Sequence, residues 1–446
     1  MSKFDVIVLG GGPAGVQAAI SSRNTNPEKS IALIRKEEKA LIPCGIPYVF
    51  HNLNSVDDDI LPDALLLNNK VELITGEVVG RNGKSITMAD GQEFEFDKLV
   101  MAAGSCPIKP KIPGIDEEGV FILSKDYREL TEMRSALQDK QRILVVGGGY
   151  VGVELADQLQ SDGKDVTLVE MMQTLLSTSV DPEFGEKIRQ TIEGQGTTVI
   201  TGVGLKAFKR DGSEIVAELD DGKQINFDAA IISIGFNPNT SLAEKFGLAY
   251  DPAYGIEVDE YLRTSDKDIF AVGDCAAKRN CYTGELRRIM LASTAMSQGR
   301  LAGSNLFSIN IMKTFSGTLG SFATKVGHLA LGVTGLTETQ AKSMGVEYVV
   351  GWADSVDRHP GKLPGSSKMS LKLIYAKYSH ILLGAQMLGG DSVGETINML
   401  SVMIQKKMTD MEIDTLQIGT HPLLTPSPLG YATIGATVDA IMKWYH

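Results

Sequence analysis

The chain has 446 residues, 43% of them apolar, so it can bury several cores, and length alone implies two to four domains rather than one small binding module. Its 55 acidic against 43 basic residues give a formal net charge of -12, which opposes the long-range attraction that nucleic acids and anionic membranes require. Four cysteines without CxxC or Cys/His spacing argue against a secreted disulfide scaffold or a zinc module, and a reducing cytoplasm fits them best.

The opening MSKFD and the short apolar run behind it are too brief for a secretory leader, and no apolar stretch is long enough to cross a bilayer. Residues 4–9 (FDVIVL) predict a strand that ends in Gly10-x-Gly12-x-x-Gly15, followed by alanines and valine at helical spacing to about Ser22. Glycines in that context permit a tight turn, close approach of backbone to a pyrophosphate and close packing of helix on strand. The helix N-terminus then faces the anion, with Pro13 and Ala14 inside the turn. Ile34-Arg35-Lys36-Glu37 follow the next strand, and then comes Cys44 within Ile42-Pro43-Cys44-Gly45-Ile46-Pro47-Tyr48. Glycine and proline predict a turn into a helix start there, a place where a thiolate is stabilised. The plainer reading of Cys44 is a small buried hydrophobe.

Residues 96–104 (FDKLVMAAG) predict a further strand and turn, ending in Ala103 and Gly104 and preceded by an acidic, glycine-containing hairpin signal. A second dinucleotide-type unit opens at residues 142–146 (RILVV). There Gly147, Gly149, Tyr150, Val151 and Gly152 lead into a helix from about Val153 to Leu159, and residues 166–169 form the next strand. Glu170 closes that strand about twenty residues past the glycines, where a carboxylate accepts hydrogen bonds from both hydroxyls of an adenosine ribose. A 2′-phosphate would be repelled, and Met171-Met172-Gln173 brings no arginine, so the pattern favours NADH over NADPH; otherwise Glu170 is a solvated strand-end acid. Residues 227–235 (FDAAIISIG) repeat the earlier strand and turn, ending in Gly235, and the paired halves predict duplication at the domain level. Beyond residues 269–274 (IFAVGD) and 292–300 (ASTAMSQGR), composition changes from about Ser321. Strands at 348–352 and 369–375 and a helical pattern at 393–406 predict a separate α+β domain.

Together these segments resemble the FAD-dependent pyridine nucleotide-disulfide oxidoreductases across essentially the full length. The resemblance implies an α/β fold of glutathione reductase type, with two Rossmann-like dinucleotide-binding domains and a C-terminal α+β dimerisation domain. The boundaries implied are 1–112 and 247–320 for FAD, 113–246 for NADH, and 321–446 for dimerisation. FAD is then expected on Gly10, Gly12, Pro13, Ala14 and Gly15, on the turn of Ala103 and Gly104, on Asp274 through its ribityl chain, and on the flavin-facing helix with Ala292 and Thr294. NADH is expected on Gly147, Gly149, Tyr150, Val151, Gly152, Glu170 and Gly235. Tyr150 stands where the family has a tyrosine that covers the flavin until nicotinamide displaces it, or else it packs the helix start. Where the family places an acid for the FAD adenosine ribose, either Glu37 substitutes or Arg35 stacks on adenine.

Cys44 resembles the redox cysteine of the single-cysteine branch, which includes coenzyme A-disulfide reductases, NAD(P)H sulfur, polysulfide and persulfide reductases, NADH oxidases and NADH peroxidases. With no neighbouring cysteine, its oxidised form is a sulfenic acid or a mixed disulfide with a small thiol such as coenzyme A. Pro13 stands where peroxidase and oxidase members carry a histidine, and the resemblance therefore implies a disulfide, polysulfide or persulfide as substrate. In the loop 359–365 (HPGKLPG), Leu363 replaces a tyrosine that coenzyme A enzymes often have. His421, ahead of Pro422, resembles the element that lends an acid/base imidazole across a twofold dimer, or else it is an imidazole satisfied in the interface. Tyr431 is a second residue able to reach the partner's site, and Cys106, Cys275 and Cys281 are read as structural. The expectation is a cytoplasmic homodimer that passes electrons from NADH through FAD to Cys44. The rival readings are an NADH oxidase or peroxidase, and a flavoprotein redox sensor or interaction protein.

Overall fold

A computed structural model describes residues 2–212 and 214–445. It resolves into two compact units, one of residues 1–111, 118–140 and 231–318, the other of 112–117, 141–230 and 319–446. Among the described residues no helix is long and apolar enough to cross a membrane.

In the first unit the strand Ser2–Leu9 runs parallel to Ile31–Arg35 on one side and to Glu93–Met101 on the other, with Val8 opposite both Leu33 and Val100. Glu72–Thr75 extends the sheet at one edge and Ile269–Ala271 pairs with Glu93–Met101. The hairpin Val78–Asn82 and Ser85–Met88 continues it antiparallel. Ile7, Leu9, Phe96, Leu99 and Met101 enter one core, while Val6, Val8, Val100 and Phe270 enter the other. Burial on both faces explains why residues 6–9 of the first strand read as an unbroken apolar run. The helices Pro13–Thr25 and Ala292–Ser304 cover one face, and they approach closely because Gly299 and Gly303 lack the Cβ that would overlap the carbonyl oxygens of Ala14 and Ala18.

The second unit repeats the pattern with parallel strands Thr198–Thr201, Asp165–Glu170 and Arg142–Val146. A three-stranded antiparallel sheet of Leu205–Asp211, Glu214–Leu219 and Gln224–Phe227 follows. Its glycine turn feeds the helix Tyr150–Ser161, which begins three residues before the predicted start because Gly149, extended at φ -70 and ψ 174, is already the N-cap. The predicted α+β segment is a five-stranded antiparallel sheet ordered Phe322–Val326, Leu329–Gly335, Leu382–Gly389, Lys368–Ala376 and Tyr348–Val356. Helix Val393–Gln405 packs on Leu329–Gly335 and Leu382–Gly389, and helix Ala432–Tyr445 packs on Tyr348–Val356 and Lys368–Ala376.

Candidate active site

The first glycine turn has the shape of an anion cradle. Gly10 lies at φ +116, which only glycine adopts at ease, and a Cβ there would strike the carbonyl oxygen of Ala102. Gly15 packs on Gly10 itself, whereas the space around Gly12 is open. Gly12 caps the helix with no side-chain hydrogen bond, Pro13 occupies the first turn without needing a partner for its nitrogen, and no acid stands there. The N–H groups of that turn, Ala14 among them, could meet an external anion. Gly104 is equally open, and Asn239 holds the turn through its N–H to Gly104 O (3.0 Å) and its amide to Ala103 O (3.3 Å).

Asp274 lies in the same unit, just after the strand Ile269–Ala271. Its Oδ2 accepts from Ser105 Oγ at 2.8 Å and from Lys125 Nζ at 3.0 Å. Burial works to raise its pKa, but the charges of Lys125 and Lys278 outweigh it and hold the carboxyl below the usual range. Lys278 is buried, and its ammonium donates to the carbonyls of Gly273 (2.6 Å) and Ala276 (3.0 Å). Gly273 N–H donates to Gln298 Oε1 at 2.9 Å, which ties the motif to the helix that starts at Ala292. Thr294 is half-buried, and its hydroxyl meets that of Thr318 at 3.1 Å. Sequence reading missed Ser105 and Lys125, since both reach Asp274 from across the chain.

Arg35 is buried, its stem lying over Gly11. Its guanidinium pairs with Asp63 (2.5 Å) and donates to the carbonyls of Glu37 and Glu38 at 2.9 and 2.5 Å. It thus shapes the loop beside the glycine turn, while the Glu37 side chain is exposed.

Cys44 is exposed and immediately precedes Gly45, which caps the single turn of helix Ile46–Phe50. The predicted helix start is therefore present but is one 3-10 turn long. Cys275 is buried, with Sγ donating to the carbonyls of Met101 (3.5 Å) and Val272 (3.3 Å), as a structural cysteine should. Cys106 by contrast is exposed, since it lies on the short strand Ser105–Pro107 that pairs with Phe236–Pro238.

In the second unit Gly147 lies at φ +110 and Gly149 faces open space. Tyr150 opens the helix with its ring 5.6 Å from that of Phe322, Val151 is half-buried and Gly152 is buried. Glu170 ends its strand half-buried, with one carboxylate oxygen accepting from Gly148 N–H at 2.5 Å and the other from Met172 N–H at 2.7 Å. Glu154, not singled out from the sequence, lies one turn along from Tyr150 and accepts from the Thr324 hydroxyl at 2.7 Å. Burial pushes its carboxyl up to about 7. Gly235 groups with the first unit rather than with these residues, and its carbonyl accepts from Ile108 N–H at 3.0 Å.

His421 is exposed, and its Nδ1 accepts from Leu423 N–H at 3.2 Å, so the neutral ring carries its proton on Nε2. His359 pins the same loop, donating its N–H to Pro422 O (3.0 Å) with Nδ1 2.9 Å from Thr425 O. Tyr431 is half-buried, which raises its phenol. Elsewhere in this unit Asp181, Glu183 and Glu338 form a carboxylate cluster of metal-binding spacing. The buried ammonium of Lys372 already lies among them at 2.9, 2.6 and 2.5 Å and supplies the counter-charge.

Comparison with known proteins identifies the family. Residues 4–299 match the pyridine nucleotide-disulphide oxidoreductase family, and residues 321–429 match its dimerisation domain. An NADH oxidase of Methanocaldococcus jannaschii is 33% identical over 433 residues, covering 93% of this chain and 94% of the relative. A CoA-dependent NAD(P)H sulfur oxidoreductase of Pyrococcus abyssi is 28% identical over 439 residues, covering 95% and 96%. The structure of an NAD-dependent persulfide reductase from A. fulgidus superimposes with a TM-score of 0.90 at 29% identity, over 98% of this chain and 83% of that one. Two glycine-turn units, an exposed cysteine beside a helix start and a C-terminal antiparallel sheet are thus joined by matches that span most of the chain, which belongs to the pyridine nucleotide-disulphide oxidoreductase family.

Proposed function

We propose that this chain is an FAD-dependent NADH oxidoreductase that reduces a sulfur-sulfur bond at Cys44, the substrate being a disulfide, polysulfide or persulfide. The observation that carries the reading is the exposed Cys44 at a capped turn, in the same unit as the open glycine cradle and Asp274. The donor set fits FAD: open space at Gly12 and Gly104, uncapped N–H groups at Ala14 and Gly15, and a charged Asp274 for a polyol. Ala292, Thr294 and the Arg35 loop complete that assignment. Gly147, Gly149, Val151, Gly152 and the anchored Glu170 fit NADH, with Tyr150 and Gly235 as further contacts. The domain assignment is 1–112 with 247–320, 113–246, and 321–446.

FAD, when bound, converts the hydride of NADH into an electron pair that sulfur can accept. The Cys44 thiolate attacks one sulfur of the substrate, forming a mixed disulfide and expelling the other sulfur as a thiolate. In this reading the imidazolium form of His421, from the partner subunit of a cytoplasmic homodimer, protonates that leaving group. Regenerating the Cys44 thiolate and releasing the bound sulfur as a thiol consumes two electrons and one proton, the electrons coming from NADH. Coenzyme A is the small thiol this reading favours as a mixed disulfide on Cys44, by analogy with the Pyrococcus abyssi relative.

The Methanocaldococcus jannaschii relative supports a second reading, in which oxygen or peroxide takes the electrons. An acceptor panel separates them, with disulfide, polysulfide, oxygen and peroxide each tested on wild type and Cys44→Ser. Loss of about 100-fold or more with sulfur acceptors in the variant is expected for a covalent nucleophile. A variant that keeps full sulfur-acceptor activity would sink the thiol mechanism. Mass spectrometry of the unreduced protein reads any thiol attached to Cys44.

A further inference from the structure

The Cys44 turn rests on a carboxyl group that the proposed chemistry leaves unused. Asp59 ends the short helical turn Val56–Asp59 and is 2% exposed. Backbone pairing brings it to the cysteine segment: Ile42 N–H donates to Asp59 O at 2.9 Å, Leu61 N–H donates to Ala40 O at 2.8 Å, and Leu41 bridges Ile60. The Asp59 carboxyl then lies against Gly45, where a Cβ would overlap Oδ1. Gly45 has ordinary right-handed backbone angles, φ -84 and ψ -17, so this contact and not its conformation requires glycine.

The other carboxyl oxygen, Oδ2, is buried with no hydrogen-bond partner. An unmade bond of that kind costs about 1–3 kcal/mol when the group is polar and more when it is charged. The charges around it are already engaged. Asp57 pairs with Lys39 (2.6 Å) and Tyr127 (2.9 Å), Asp58 accepts from the N–H groups of Asn54 and Ser55, and Asp63 pairs with Arg35. Tyr48 and His51 stand on and just beyond the facing turn Ile46–Phe50, and Arg128 on the helix Tyr127–Ala136 pairs with Glu38 at 3.2 Å. Burial pushes the Asp59 carboxyl up to about 7.

We propose that Asp59 is a positioning residue for Cys44: its protonated carboxyl packs beneath Gly45 to hold the turn, and loss of that proton sets a negative charge against the residue next to the sulfur and disfavours the thiolate. A carboxylate formed there makes the neighbouring thiol harder to ionise. This rests on Cys44 as the redox sulfur, but it concerns the thiol's own reactivity.

Reduced full-length protein is alkylated with iodoacetamide at a series of pH values from about 5.5 to 8.5, and the Cys44 peptide is quantified by mass spectrometry in wild type and Asp59→Asn. The amide cannot ionise, so the ratio of variant to wild-type rate is expected near one at the acid end. It should rise to about three- to tenfold once pH passes about 7 while the thiol is still mostly protonated, the effect of one nearby like charge, and fall back toward one where both thiols are ionised. A ratio that does not change with pH overturns the proposal, because a merely structural change would shift both ends together. A second pair of variants tests the contact itself. Gly45→Ala is expected to lower the melting temperature, and adding Asp59→Ala in the same chain to restore most of the loss, while losses that simply add overturn the packing argument. Neither readout uses an electron acceptor, so a Cys44→Ser enzyme that still reduced sulfur would end the redox reading and leave the Asp59 result standing.

Discussion

Glu154 lies between a tyrosine that opens a glycine-turn helix and a threonine of the C-terminal sheet, with its carboxyl raised from the ordinary 4.5 to about 7 by burial. Because the folded value lies above the unfolded one, the native state keeps a proton that the unfolded chain releases between about pH 4.5 and 7. Stability therefore falls as pH rises through that window, and the whole cost is present above it. Glu154→Gln keeps the shape and removes the ionisation. It is expected to gain about 1–3 kcal/mol over wild type at pH 8 and little at pH 4, read as the difference in thermal melts at the two pH values. An equal difference at both would show that this acid does not titrate with folding. Neither Glu154 nor Asp59 was legible in the sequence, where each is one acid among 55. What distinguishes them is loss of hydration, which depends on segments distant in the chain. The glycines are the opposite case, since a required φ or close approach leaves its trace in the residue type itself.

Elements were legible where the period and the punctuation coincided. The apolar run 6–9 between a charged start and three glycines could be little but a buried strand, and its register against Ile31–Arg35 and Glu93–Met101 follows. The helix beginning at Tyr150 was placed late, because an aromatic and a valine after glycine look like the tail of a turn when the N-cap geometry is unseen. The end of the strand Asp165–Glu170 shows how an element positions chemistry. Glu170 is held by two backbone N–H groups, from Gly148 on the glycine turn and Met172 beyond the strand, so in the proposed NADH site the carboxylate is already ordered before a ribose arrives. Glu170→Ala removes the ribose acceptor and frees the Gly148 N–H. A fall of about 10- to 100-fold in kcat/KM for NADH is expected, with NADPH affected less, so the preference between the two narrows. Steady-state kinetics with both nucleotides checks this, and an unchanged preference would remove Glu170 from the specificity assignment.

At the scale of the whole molecule, the C-terminal segment exposes Leu424, Leu429, Met442 and Tyr445 at 70, 102, 51 and 77%, more apolar surface than a monomer in water needs to show. Leu424 and Leu429 fall within residues 321–429, which match a dimerisation domain, and a second copy of the chain is the proposed cover of this surface. If the pairing also shares sites, His421 of one chain serves Cys44 of the other, and the consequence can be counted. Neither Cys44→Ser nor His421→Ala has a working pair as a homodimer. A hybrid of the two has one, formed by the cysteine of the His421→Ala chain and the histidine of the Cys44→Ser chain. Co-expression at equal levels, or mixing after dissociation, makes about half the dimers hybrid by random pairing. Activity toward the sulfur acceptor should therefore recover to about a quarter of wild type under twofold symmetry. If both residues instead served a site within one chain, the hybrid would hold no complete pair. Its activity would then stay at the level of the two parent variants, and the shared-site assignment would fall while Cys44 kept its place.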